Sequence, residues 1–220
     1  MTERKLAMTK RRLMAIGFGL ALLACDRQAP ADYFPLKAGQ QRAMKVYTRM
    51  IDGTDTTETT EVKVVEVVHG LKDVPGMGKC WVVESPRDTG RPFYSFFRKN
   101  EDGIIQLMPT SADKPPVEML YLALPLAKGL KWYDTKAQRE LMEVTAQETV
   151  RIQAGAYPDC YVVAVKNTRA DWSMTQWLAP NVGAVKWENR AAWTDKSGKR
   201  HEMLKLAELV AFKVPRDSGK

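Results

Sequence analysis

The chain has 220 residues, 45% of them hydrophobic, and carries 34 Lys and Arg against 26 Asp and Glu, a formal net charge of +8. That apolar content excludes a disordered or collagen-like chain, and the length suits one globular domain or two small halves sharing a core. The basic excess does not mark a nucleic-acid binder. Five basic residues and one acid fall in the first 24 positions, leaving 29 basic against 25 acidic residues, a net +4, which is ordinary for a solvated surface.

The first 24 residues read as a processing signal. Residues 1–12 are basic and polar, residues 13–24 (LMAIGFGLALLA) are apolar, and Cys25 follows at once. The apolar stretch is too short for a transmembrane helix, which needs about 20 residues. Leu22-Leu23-Ala24-Cys25 resembles a bacterial lipobox, so residues 1–24 are expected to be removed and Cys25 to carry the lipid. Each buried methylene contributes roughly 0.8 kcal/mol, and more than one acyl chain on a single residue gives stable membrane attachment. Asp26 resembles the signal that holds lipoproteins at the inner membrane of enteric bacteria. The expected address is therefore the periplasmic face of the inner membrane, with the outer membrane as the alternative. Arg11-Arg12 resembles a twin-arginine signal, but Leu13-Met14-Ala15 departs from its usual pattern, so general secretion is expected.

Residues 25–32 form a short tether, and 33–220 read as one mainly β domain. Runs of alternating polarity, such as Glu61-Val62-Lys63-Val64 and Thr149-Val150-Arg151-Ile152, are punctuated by Gly, Pro, Asn and Asp, the pattern of half-buried antiparallel strands. Strands are predicted near 43–51, 57–69, 78–85, 92–99, 103–108, 130–134, 140–152, 159–166, 172–179, 184–190 and 200–214. Helix is scarce, with 116–123 the best candidate for a short one. The turns at Asn100-Glu101-Asp102-Gly103 and Pro180-Asn181-Val182-Gly183 need a residue that tolerates positive φ.

The domain contains an internal repeat. Pro35-Leu36-Lys37-Ala38-Gly39 returns as Pro125-Leu126-Ala127-Lys128-Gly129, Cys80-Trp81-Val82-Val83 as Cys160-Tyr161-Val162-Val163, and Phe97 with Gly103-Ile104-Ile105 as Trp177 with Gly183-Ala184-Val185. The offset is 90 residues for the first match and 80 for the other two. Three matches in one order indicate two tandem halves, about 33–108 and 124–214, joined through 109–124. A single insertion or deletion of about 10 residues, within 48–69, accounts for the change of offset.

Tyr33-Phe34-Pro35-Leu36-Lys37-Ala38-Gly39, the strand Cys160-Tyr161-Val162 after a glycine loop, and Trp177-Leu178-Ala179-Pro180-Asn181-Val182-Gly183 together resemble a widespread group of uncharacterised bacterial envelope lipoproteins. Their marks are a YFPL-x-x-G start and a W-x-x-P-x-V-G hairpin. The resemblance implies a strongly curved antiparallel sheet, a half-barrel similar in kind to periplasmic lipoprotein-carrier proteins, and supplies no activity. The family often places Trp three residues after the first Gly. Trp132 follows Gly129 in this way, whereas Arg42 holds the position after Gly39.

No catalytic, metal or cofactor site is expected. HExxH, CxxC and GxSxG are absent, and His69 and His201 lie 132 residues apart without a partner pattern. Asp88-Thr89-Gly90 matches the aspartic-protease tripeptide but has charged flanks, and Gly76-Met77-Gly78-Lys79 lacks the spacing of a phosphate loop and reads as a turn. With Cys25 lipidated, Cys80 and Cys160 remain as a candidate disulfide in an oxidising compartment. Their equivalent places in two halves of one sheet would hold them apart unless the sheet curls back on itself.

Trp81, Trp132, Tyr161 and Trp177 are the candidate face for an apolar ligand. The competing account is that they fill the core. Three roles are weighed: a membrane-anchored carrier of a lipid or other apolar ligand, a scaffold lipoprotein that pairs with another envelope protein, and an enzyme built on carboxylates gathered by the fold. The first is the leading expectation, the role being non-enzymatic, with the membrane as partner through Cys25 and no nucleic acid. Replacing Cys25 with Ser should abolish incorporation of labelled palmitate and release the chain from the membrane fraction; retention of label would refute lipidation at Cys25.

Overall fold

Alternating polarity in the sequence becomes a single sheet of twelve antiparallel strands. They are β1 (Gln41–Asp52), β2 (Asp55–Val74), β3 (Gly78–Ser85), β4 (Phe93–Lys99), β5 (Gly103–Met108), β6 (Val117–Ala123), β7 (Lys131–Tyr133), β8 (Glu140–Ile152), β9 (Gly155–Asn167), β10 (Trp172–Ala179), β11 (Gly183–Thr194) and β12 (Arg200–Lys213). The structure, a computed structural model, describes residues 30–86, 90–111, 114–135 and 137–215, with the side chains of 59–63 excepted. Residues 1–24, Cys25 and Asp26 lie outside the described residues, as do Asp88 and Thr89.

The strand order is β6-β5-β4-β3-β2-β1-β12-β11-β10-β9-β8-β7. Every neighbour is consecutive in the chain except β1 and β12, which join the two ends along the register Gln41↔Lys213 to Asp52↔His201. The free edges therefore fall in the middle of the chain, at β6 and β7. There the sheet has curled until the edges meet, and Leu120 N–H donates to the Asp134 carbonyl at 2.7 Å. The expected strongly curved antiparallel sheet is present, and it goes beyond a half-barrel to a nearly closed barrel.

The two halves are six strands each, β1–β6 and β7–β12. In the first, Gly39 N–H donates to the Val68 carbonyl and Val68 N–H to that of Gln40; in the second, Gly129 and Val144 repeat the first bond, and Val144 and Leu130 the second. Val68 and Val144 are thus equivalent at an offset of 76, between offsets of 90 and 80 at the flanking matches. The expected single insertion is two changes. The β1–β2 arm is 14 residues longer than its counterpart, and the β8–β9 hairpin is 4 residues longer than the β2–β3 one.

The short helix expected at 116–123 is instead strand β6. Leu, Met and Glu favour helix intrinsically, but β5 offers an unpaired edge, and the ladder Gly103↔Ala123 to Met108↔Val117 forms along it, so tertiary pairing overrides propensity. The first half consequently extends past 108, and the connection shrinks to 124–130. The other predicted strands match those observed, with ends shifted by up to five residues.

The main core lies inside the barrel. Its buried side chains come from β2 through β10, among them Val68, Val83, Phe97, Ile104, Leu122, Trp132, Val144, Val163 and Leu178. Phe34, from the segment before β1, enters the same cluster and packs edge-on against Phe97 at 5.1 Å and against Tyr121 at 5.3 Å. A second cluster gathers Met44, Val150, Cys160, Ala179, Val185, Ala207 and Leu209.

The turn before β5 is held by Asn100, whose Oδ1 accepts from the Asp102 and Gly103 N–H groups. Gly103 has φ +149°, and a Cβ there would lie 2.0 Å from the Leu122 carbonyl oxygen on β6. Gly155 has φ +138° with nothing within 4 Å of the corresponding point. Gly103→Ala should therefore destabilise by more than about 3 kcal/mol and Gly155→Ala by about 1 kcal/mol, strain alone, measured by urea unfolding; equal losses would contradict the close approach of β6 to Gly103.

Candidate functional site

Strand alternation sends every second side chain inward. Register places Val144 opposite Val163, Val163 opposite Gln176, and Gln176 opposite Trp187, so these four share one face. Phe97 pairs with Gln106 on the other side of the barrel.

Two adjacent cavities open among these side chains. The first, of about 280 Å³, lies between β5, β6, β8, β9 and β10 and is lined largely by apolar groups, including Met108, Met119, Met142, Met174, Val163 and Val165. The second, also of about 280 Å³, lies towards β1, β2 and β11 and is lined by Phe34, Met44 and Trp187 with polar Arg42, Glu66 and Asn189. Tyr121, Met174 and Gln176 line both, and the Tyr121 hydroxyl donates to Gln176 Oε1 at 3.3 Å where they meet. Burial pushes the Tyr121 hydroxyl up, so it stays a neutral donor at physiological pH.

Five of the eight methionines beyond residue 24 line these two spaces. Unbranched, polarisable thioethers reshape themselves around different apolar contents, which a wall of Val or Leu does less well. Polar groups sit at opposite ends. At the seam, Asp134 Oδ1 accepts from the Arg139 and Glu140 N–H groups, closing the turn between β7 and β8. Burial, and then the neighbouring Asp134, raise the Glu140 carboxyl. In the second cavity Arg42 Nη2 pairs with Glu66 Oε2 at 2.9 Å.

The four aromatic residues of the candidate ligand face line neither cavity. Trp132 is core, Trp81 and Tyr161 pack on its margin, and Tyr161 lies against Tyr33 with centroids 4.9 Å apart. Trp177 packs on the second cluster, donates from Nε1 to Glu148 at 2.8 Å, and has Lys186 Nζ 5.0 Å from its ring centroid. The core-filling account holds for all four: their bulk closes the space a ligand would need. The residues that do line the cavities were hidden in two ways. Met119 and Tyr121 belong to the segment expected to be helical, while Met142, Val163, Val165, Met174 and Gln176 stand at alternate positions that a strict reading of strand period would have placed on one face.

Cys80 and Cys160 are free thiols, each fully buried. They stand on β3 and β9, six steps apart in a ring of twelve, so the curling that joins β6 to β7 leaves them on opposite sides, whereas a bridge needs Cα atoms within about 7 Å. Burial raises both thiols, Cys160 to about 11, which removes thiolate character.

The histidines serve the surface. His69 Nε2 meets Glu84 at 2.6 Å, and His201 bridges Asp52 and Asp195 at 2.5 and 3.1 Å, tying the β1–β2 and β11–β12 hairpin ends together. Ser197 Oγ donates to Asp195 and not to His201, so no base is placed to activate that hydroxyl. Among the described residues, no group of three or more His, Cys, Asp and Glu is placed to hold a metal.

No family model, curated protein or solved structure matches the chain. In the native protein at pH 7, Cys80 and Cys160 should be silent to a thiol reagent such as DTNB, and both should react on denaturation. A native-state reaction, or fewer than two thiols after unfolding, would contradict the burial and the unbridged state.

Proposed function

We propose that this protein is a lipid-anchored, periplasm-facing lipoprotein that binds an apolar ligand inside its barrel and performs no chemistry on it. The observation that carries the reading is the pair of adjoining methionine-lined cavities in the barrel interior. Cavities near 300 Å³ with apolar walls and few polar groups are the usual form of small-molecule sites. Placement of the anchor on Cys25 comes from the lipobox resemblance, and the resemblance to envelope lipoproteins agrees with it.

The seam supplies a route inward. Leu120 to Asp134 is a single backbone bond, against continuous ladders between the other neighbouring strands, so parting β6 from β7 sacrifices less than opening any other boundary. The same edges favour the second reading, a scaffold whose β6 edge pairs with a strand of another envelope protein.

Native mass spectrometry of the mature lipoprotein extracted from membranes should show a bound, solvent-extractable mass. Met174 lines both cavities, so Met174→Trp should abolish that mass while the fold persists, with overpacking costing about 1–3 kcal/mol. An empty wild-type protein that cross-links through β6 to an envelope partner would favour the scaffold, and a ligand retained undiminished by Met174→Trp would place binding outside the cavities.

A further inference from the structure

The two halves differ at one cross-strand pair. In the second half Trp132 on β7 faces Met142 on β8, both buried. The repeat offsets of 90 and 76 put Arg42 and Glu66 at the equivalent places, and these also face each other, on β1 and β2. An apolar pair in one half is thus an ion pair in the other, at the same depth: Arg42 and Trp132 are each 7% exposed.

Stability does not explain the exchange. Burying an ion pair is often neutral or unfavourable against well-packed apolar residues of similar volume, and the second half demonstrates that the apolar solution fits this fold. The barrel also accommodates the arginine: a Cβ on Gly183 would lie 2.9 Å from Arg42 Nη1 and 3.4 Å from Pro35 Cδ. Substitution of Gly183, itself at φ +86°, would press on the guanidinium.

The ion pair leaves hydrogen-bonding capacity unused. Arg42 Nε and Asn189 Oδ1 are buried without a hydrogen-bond partner, and both residues line the second cavity. An unsatisfied buried polar group costs about 1–3 kcal/mol, so one donor and one acceptor beside the same space form a binding feature. Their charge environment narrows what fits. Glu66 already balances Arg42 at 2.9 Å, so an anionic head would be repelled by Glu66 and a cationic one by Arg42, in surroundings where such repulsion is weakly screened. A neutral head that accepts from Arg42 Nε and donates to Asn189 Oδ1 meets both needs. Beyond it, past Tyr121 and Gln176, lies the methionine-lined cavity.

Building on the binding role proposed above, we infer that the ligand is a single-chain amphiphile with an uncharged head that accepts one hydrogen bond and donates another, as an amide does. The head sits at Arg42 and Asn189 and the apolar chain extends among the methionines.

The test uses three short probes, octanamide, octanoate and octylamine, titrated at pH 7 by calorimetry into the mature lipoprotein in lipid nanodiscs, with empty nanodiscs subtracted. Octanamide should bind about tenfold tighter than either charged probe. The double variant R42W/E66M, which copies the Trp132–Met142 pair into the first half, should fold and lose that preference. Asn189→Leu should weaken octanamide about tenfold without weakening the charged probes, and it carries the test alone if the double variant does not fold. Equal binding of the three probes, tighter binding of a charged one, or a preference that survives these substitutions would overturn the head-group assignment while leaving the binding role intact. Failure of all three probes to bind would remove the binding role and this inference with it.

Discussion

The pairing of β1 with β12 is the contact on which the rest of the structure depends. Without it the chain would form two separate six-stranded sheets, each with one apolar face and two unpaired edges. Joining the first strand to the last along twelve register pairs merges them and moves both free edges to the middle of the chain. Sheet twist then brings β6 and β7 together, the inner faces enclose a common core, and the edges shelter one another. The barrel is closed firmly where the ends of the domain meet and lightly where its halves join.

Duplication explains the scaffold, and departure from duplication explains the site. The backbone bonds around Gly39 and Val68 recur around Gly129 and Val144, so the halves begin alike, each with a Pro-Leu-x-x-Gly segment that packs its leucine into the main core at Leu36 or Leu126. Where side chains need only fill space the halves stay equivalent, as with Val83 and Val163, both in that core. Where they diverge, at Arg42 and Glu66 against Trp132 and Met142, the polar pair borders a cavity and the tryptophan seals the core. Asymmetry of this kind gives a barrel with one polar end and one adaptable apolar end.

Much of the fold was legible in the residues because strands announce themselves locally. The strand at 140–152 has its alternation, the turn at Asn100 to Gly103 its Asn and Gly, and the repeat its ordered matches. The misread segment, 116–123, carries Met, Leu and Glu that suit a helix, and only the neighbouring edge of β5 made it a strand. The site was less legible for a related reason. Large aromatic residues draw attention as ligand walls, yet their volume suits them to filling a barrel, while methionines scattered from 44 to 174 converge only after the sheet has curled.

The amino-acid sequence by itself determined the antiparallel strands, the tandem halves and the turn positions, because these follow from side-chain period, backbone permissiveness and self-similarity over short distances. Tertiary structure alone decided that the sheet closes, that Cys80 and Cys160 stand apart as free thiols, and that Arg42, Asn189 and five methionines share two adjoining spaces. Those outcomes depend on which strands become neighbours across more than a hundred residues, and that choice is made by curvature, edge pairing and the packing of the whole interior.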